Sequence, residues 1–178
     1  CDCVVDATHP YAAQVTENIA AACRTVGGDC LRLLRGSDAA PEDAVCVPDI
    51  PGAVAYLAKT EGNILLTTGS KELAQYTALP DFARRVYARV LPMDASLAAC
   101  RAAGLPPDRI IAMQGPFSQE MNTAMLRSVS AGYLVTKDTG GAGGFGGKAA
   151  AAREAGAVLV VVGRPAQRAG LDFAGVTE

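Results

Sequence analysis

A chain of 178 residues, half of them hydrophobic, with no Trp and a net charge of −2, has room for one domain or two small lobes around an Ala/Val/Leu core. The mild acidity gives no support for binding nucleic acid or a membrane surface, and no apolar run approaches the roughly 20 residues of a membrane span. Six cysteines without a CxxC pair, and a single His, lack the paired ligand spacing of a zinc site; no metal is expected, and reduced thiols suit a cytoplasmic protein.

The chain opens on a strand, 3–6, with Cys1 where an initiator Met is usual, so sequence upstream is expected to be missing. Cys1 and Cys3 fall on one strand face and read as core packing. A helix over 12–26 stops at Gly27-Gly28, and strands follow at 30–34 and 44–47. A helix over 50–60 has Asp49 as N-cap and Pro51 in its first turn. Then come strand 63–67, a short helix 71–76, strand 86–90, and a helix 95–103 between Asp94 as N-cap and Gly104 as stop. Strand 109–113, helix 119–129, strand 133–136, helix 148–155 and strand 158–162 complete the pattern. Short apolar strands alternating with helices predict an α/β fold with a parallel sheet buried on both faces. The lobe boundary is expected in the helix and turn 50–62, giving lobes 1–62 and 63–178.

In such folds ligands bind beyond the carboxyl ends of the strands. The residues leaving those ends are Thr8, His9 and Tyr11; Thr67, Thr68, Gly69, Ser70 and Lys71; Arg89; Gly115 and Ser118; Lys137, Asp138 and Thr139; and Arg164. Hydroxyls, glycines and cations dominate, and Arg and Lys pair strongly with carboxylate or phosphate where water is partly excluded. After the strand 133–136, seven of the eight residues from Gly140 to Gly147 are Gly or Ala, Gly140 and Gly141 first among them, and Lys148 follows. A glycine loop entering a helix suits an anion or a closing lid. It satisfies GxGxxG at Gly141, Gly143 and Gly146, a match that is nearly automatic in so glycine-rich a run, and the acidic residue expected about 20 positions later is absent. His9, the lone His, is the candidate proton donor. Lys137 and Arg164 are expected to serve anion binding more than folding.

Taken together, Val5-Asp-Ala-Thr-His-Pro-Tyr-Ala12, Leu66-Thr-Thr-Gly69, Arg89-Val-Leu-Pro92, Gln114-Gly-Pro-Phe-Ser118 and Leu134-Val-Thr-Lys-Asp-Thr-Gly-Gly141, with Lys148 and Arg164-Pro165 beyond, resemble the precorrin-6A reductase family of cobalamin biosynthesis, in order along the whole chain. The resemblance implies two Rossmann-like lobes with a nicotinamide coenzyme, NADPH or NADH, and a tetrapyrrole between them. It implies hydride transfer to a conjugated C=C bond of the precorrin-6A or cobalt-precorrin-6A macrocycle, and basic residues on the ring's many carboxylates. Carried over, Arg89, Lys137, Lys148 and Arg164 become carboxylate or coenzyme-phosphate contacts, and Thr67, Thr68, Gly69, Gly115 and Ser118 backbone and hydroxyl contacts. Two departures stand out: the family's opening strand and Gly-rich turn are absent, and Gly147 stands where many relatives carry Glu. The alternative is a non-catalytic tetrapyrrole- or nucleotide-binding α/β module, since hydride chemistry belongs to the cofactor. A small hydroxy-acid dehydrogenase is disfavoured, because no His/Asp relay is available.

Overall fold

Strands that are apolar on both faces need helices on both faces. The chain supplies them. A computed structural model describes residues 3–34, 36, 40–138, 144–165, 169–171, 173 and 175. Its strands are β1 (Cys3–Asp6), β2 (Asp29–Arg32), β3 (Val45–Val47), β4 (Asn63–Leu66), β5 (Val86–Val90), β6 (Ile110–Ala112), β7 (Ala131–Lys137) and β8 (Val158–Val162). Six of them form one parallel sheet in the order β3-β8-β7-β4-β5-β6, and β1 pairs with β2, also parallel, in a separate sheet. The helices are α1 (Ala13–Val26), α2 (Ile50–Leu57), α3 (Phe82–Arg85), α4 (Asp94–Ala102), α5 (Gln119–Ser128) and α6 (Phe145–Ala155).

Side-chain alternation along the strands divides the core of the larger sheet in two. Ile64, Leu66, Val135 and Val160 pack with Leu57 of α2, Leu73 and Tyr76 of a 3-10 turn, and Cys100 of α4. Leu65, Leu134, Leu159 and Val161 face the other way, toward Leu126 of α5 and Phe145 and Ala152 of α6. Each fully buried Leu contributes about 1.5–3 kcal/mol of transfer free energy. β4 leads outward to β5 and β6, whereas β7, beside β4, leads outward in the opposite direction to β8. The β4/β7 boundary is therefore the topological switch point, where the carboxyl ends of the strands open a crevice.

Several boundaries differ from the sequence expectation. α4 begins at Asp94, with Met93 in the cap position; Asp94 sits inside the first turn, where its charge favours the helix dipole. The segment expected as helix 71–76 is a 3-10 helix, Leu73–Ala78, and α3 was not anticipated. α6 starts three residues early. Phe145, 2% exposed, is driven into the core after Gly144 turns left-handed at φ +67°, which draws Gly146 and Gly147 into the first helical turn. Asp49 caps α2 as expected, its Oδ1 accepting from the Gly52 amide at 2.8 Å. Cys3 is exposed, against the core-packing expectation, and no disulfide joins Cys3, Cys23, Cys30, Cys46 or Cys100. Among the described residues no helix is long and apolar enough to cross a membrane.

β3 hydrogen-bonds β8, and α2 is buried in the core of the larger sheet. Strand pairing thus ties the segment from Val45 onward to the six-stranded sheet, although a boundary at 62 assigns it to the first lobe. The small sheet is held by a buried ion pair, Arg32 Nη1 to Asp6 Oδ1 at 2.8 Å. Desolvation pushes the Asp6 carboxyl up, but the Thr8 hydroxyl and amide, the Thr16 hydroxyl and the Arg32 charge outweigh it and hold Asp6 below the ordinary value. Hydrogen bonds among the described residues join the small sheet's side to the larger sheet. The Tyr11 hydroxyl donates to the Val162 carbonyl at 2.8 Å, and Arg164 Nη2 donates to the Gly36 carbonyl at 2.9 Å.

Candidate functional site

Two adjoining clefts occupy the carboxyl-end crevice. The first, about 600 Å³, lies beyond β4, β5 and β6 and is walled by Arg89, Leu91, Met113, Gly115–Phe117, Asn122 and Lys148; its volume falls in the usual range for ligand sites. The second, about 390 Å³, lies between the β1–α1 connection, with His9 and Tyr11, and the exits of β4 and β7, with Thr68, Lys71 and Lys137. Thr67, Gly69 and Lys148 line both. The two spaces share a wall.

Arg89 dominates the first cleft. It is 7% exposed, its Nη1 donating to Asn122 Oδ1 at 2.7 Å and reaching Met125 Sδ at 3.5 Å, with the guanidinium 4.1 Å over the Phe117 ring. Asn122 is fixed in turn by donating to the Ser118 carbonyl at 2.8 Å. None of the ion pairs among the described residues includes Arg89. Burial pulls its pKa down to about 10. Lys148, one turn into α6, is lowered to about 8, first by desolvation and then by the Arg89 charge. A cation in the first turn of a helix also opposes the positive end of the helix dipole. Burial, like charge and dipole all act against positive charge here, and all are relieved by an anion.

The glycines at the rim have distinct reasons. Gly69 has φ +85°, and a Cβ there would meet nothing within 4 Å; backbone conformation, not crowding, requires Gly. At Gly115 a Cβ would lie 3.0 Å from the Phe117 ring, so the missing side chain lets Phe117 fold back beneath Arg89.

The remaining expected site residues separate into those that reach the clefts and those that do not. Lys71 is exposed at the second cleft. Thr67 lines both clefts, but its hydroxyl donates to the Val135 carbonyl at 2.8 Å. Thr68 is 8% exposed, and its Oγ1 has no hydrogen-bond partner. His9 Nδ1 accepts from the Tyr11 amide at 3.3 Å, which places the proton of the neutral ring on Nε2. Burial pushes the Tyr11 phenol up to about 12, and Lys137 lies 4.7 Å over its ring.

Lys137 reaches the second cleft but is ion-paired with Glu72. Arg164 is held by Asp138, Nε to Oδ2 at 3.1 Å, and both are mostly buried away from the clefts. Within this structure the charges of Lys137 and Arg164 are already met by carboxylates, unlike that of Arg89. Ser70 turns toward α4, its hydroxyl bonding Ser96 at 3.2 Å. Ser118 caps α5 by accepting from the Met121 amide at 3.2 Å. Thr8 belongs to the Asp6–Arg32 cluster and accepts from Arg32 Nη1 at 2.9 Å. Thr139, Gly140 and Gly141 lie outside the described residues. Asn122 and Glu72 were not anticipated, and Phe117 was expected only as part of the strand-exit segment 114–118. Asn122 had a sequence signal, a polar residue in line with Met125 and Leu126 on the buried stripe of α5.

The chain is similar to known proteins along most or all of its length. A family model described as Precorrin-6x reductase CbiJ/CobK matches residues 1–178. The cobalt-precorrin-6A reductase of Methanothermobacter thermautotrophicus is 40% identical over 91% of this chain and 54% of its own length. That of Priestia megaterium is 36% identical over 91% and 65%. The precorrin-6A reductase of Rhodobacter capsulatus is 33% identical over 92% and 62%. A solved structure, CobK precorrin-6A reductase, superposes with a TM-score of 0.75 at 29% identity, covering 99% of this chain and 71% of that one. The chain thus spans 54–65% of the length of these three curated relatives.

Proposed function

Because the chain belongs to the precorrin-6x reductase CbiJ/CobK family, we propose that it serves the NAD(P)H-dependent reduction of a C=C bond in the macrocycle of precorrin-6A or its cobalt form, in the cytoplasm, on the route to cobalamin. The observation that carries this reading is the cationic wall of buried Arg89 and half-buried Lys148 at the carboxyl-end crevice. Both ligands of such a reaction are polyanions, the tetrapyrrole through its carboxylates and the coenzyme through its phosphates. The residues present fit that chemistry: Gly69 leaves open space above its backbone, and the surrounding donors are cations and hydroxyls.

A reduced nicotinamide supplies hydride when bound. This chain's own residues bind and orient. Arg89 and Lys148 would hold carboxylate or phosphate oxygens, Lys71 would attract them from the second cleft, and Phe117, Leu91 and Met113 offer apolar contact to a planar ring. His9 presents the proton on its Nε2 as the candidate donor to the second cleft. The strand pairing supports a lobe division before Val45 instead of at 62.

The deciding experiment is to follow NADPH and NADH oxidation by the protein with precorrin-6A and with cobalt-precorrin-6A. Coenzyme oxidation that depends on the macrocycle is expected. Tight tetrapyrrole binding without any oxidation would instead identify a non-catalytic carrier.

A further inference from the structure

We propose that Glu72 is a specificity-determining residue of the second cleft: by neutralising Lys137 it turns that lysine into a donor for a neutral carboxamide, that of a nicotinamide, in place of an anion. This deepens the reductase reading and rests on it. The two residues come from either side of the topological switch point, Glu72 from the turn after β4 and Lys137 from the end of β7. Lys137 Nζ is ion-paired with Glu72 Oε2, their side chains 16% and 31% exposed, and it lies 4.7 Å over the Tyr11 ring. An ammonium has three N–H donors. Glu72 and the ring face engage part of that set, which leaves donor capacity for the cleft that Lys137 lines.

Charge decides what that donor takes. A carboxylate or phosphate brought to Lys137 also meets the Glu72 carboxylate, and like charges repel. A carbonyl oxygen accepts the same N–H without that repulsion. A second observation points the same way. Thr68 lines this cleft and is 8% exposed, yet its Oγ1 has no hydrogen-bond partner. Such a buried hydroxyl is costly to leave unpaired, and it can accept from an amide N–H as well as donate. A carboxamide offers both an acceptor for Lys137 and a donor for Thr68; a carboxylate offers only acceptors. The cleft's other lysines suit the rest of such a ligand. Lys71 is exposed, and Lys148 stands on the wall shared with the first cleft. A neutral head beside Lys137 and a phosphate near those cations describe the nicotinamide mononucleotide half of a dinucleotide.

The test compares two dinucleotides that differ only in this group, by calorimetric titration of this chain at neutral pH. NADP+ carries the carboxamide, and nicotinic acid adenine dinucleotide phosphate carries an ionised carboxylate in its place. Wild type should bind NADP+ about tenfold more tightly, the scale of one charge-assisted contact. Glu72→Gln keeps the shape of the side chain and leaves Lys137 its charge, so it should erase or invert that preference. Glu72→Asp, which restores the carboxylate, should prefer NADP+ again. A purely structural role for Glu72 would weaken both ligands alike and leave their ratio unchanged. Should Glu72→Gln not fold, the wild-type ratio and Glu72→Asp decide alone. Equal or tighter binding of the carboxylate form by wild type, or a preference that survives in Glu72→Gln, overturns the proposal. Either result leaves the reductase reading standing wherever macrocycle-dependent NADPH oxidation is seen. Binding of neither dinucleotide at millimolar concentration also overturns the proposal, and the oxidation assay then judges the reductase reading separately.

Discussion

Arg32→Ala is expected to destabilise the β1–β2 sheet by about 3–5 kcal/mol, because it strands the Asp6 carboxylate in a site that is 2% exposed. That is a large share of the 5–15 kcal/mol that holds a typical domain together. Urea unfolding, with amide exchange of Val4, Val5 and Asp6 as the local readout, measures it. A loss below about 1 kcal/mol would show that the pair is worth no more than a surface bridge. The same pair sets an acid limit. Asp6 is lowered by the Thr8 and Thr16 hydrogen bonds and by Arg32, against the opposing effect of burial. Its stabilising contribution is therefore complete above the unfolded carboxylate value of about 3.9, and is lost as pH falls from there through the lower folded value. In wild type the β1 amides should lose protection only in that acid window, before those of β4, whose residues enter no ion pair among the described residues.

Phe145→Ala should cost about 3–5 kcal/mol, as for other buried aromatic truncations, and should weaken phosphate binding in the fraction that remains folded. Phe145 is the first residue of α6 and is packed among Leu134, Leu159 and Met125. Its ring fixes where the helix begins, and hence where Lys148, three residues on, meets the cleft. Phe145→Leu should recover most of the stability and most of the affinity, since volume matters more here than aromaticity. Thermal unfolding and phosphate titration of the two variants check both halves. Unchanged affinity in folded Phe145→Ala would uncouple the helix start from the site.

Strand order aside, most of the fold was legible in the chain, because buried parallel strands are written as contiguous apolar runs such as Val158-Leu-Val-Val-Val162. The segment 71–78 was less legible. Its Ala, Leu and Gln favour helix in general, but Leu73 and Tyr76, three apart and both buried, close a 3-10 turn instead. The start of α6 was hidden by its glycines, whose propensity argues against helix while Phe145 imposes it through packing. The site was readable as a basic rim at the strand ends. Which cations carry the rim was not, because Glu72 and Asp138, the partners that occupy Lys137 and Arg164, reach them across the fold or from a neighbouring strand end. Likewise nothing local to Arg89 announces that its nearest oxygen belongs to Asn122, 33 residues away.

Gly146 and Gly147 in the first turn of α6 have a consequence for the order in which that helix comes apart. Neither has a positive φ, and a Cβ would meet nothing within 4 Å at Gly146 and only the Gln119 amide nitrogen, at 3.9 Å, at Gly147. Alanine would fit both, yet the chain forgoes roughly 1 kcal/mol of helix propensity at each position. The alanine run beyond Lys148 is the strong part of the helix, and the turn at its amino end is the weak part. α6 therefore opens from the cleft outward, in a local transition far shallower than global unfolding. Whatever binds against Lys148 also holds that end of the helix shut.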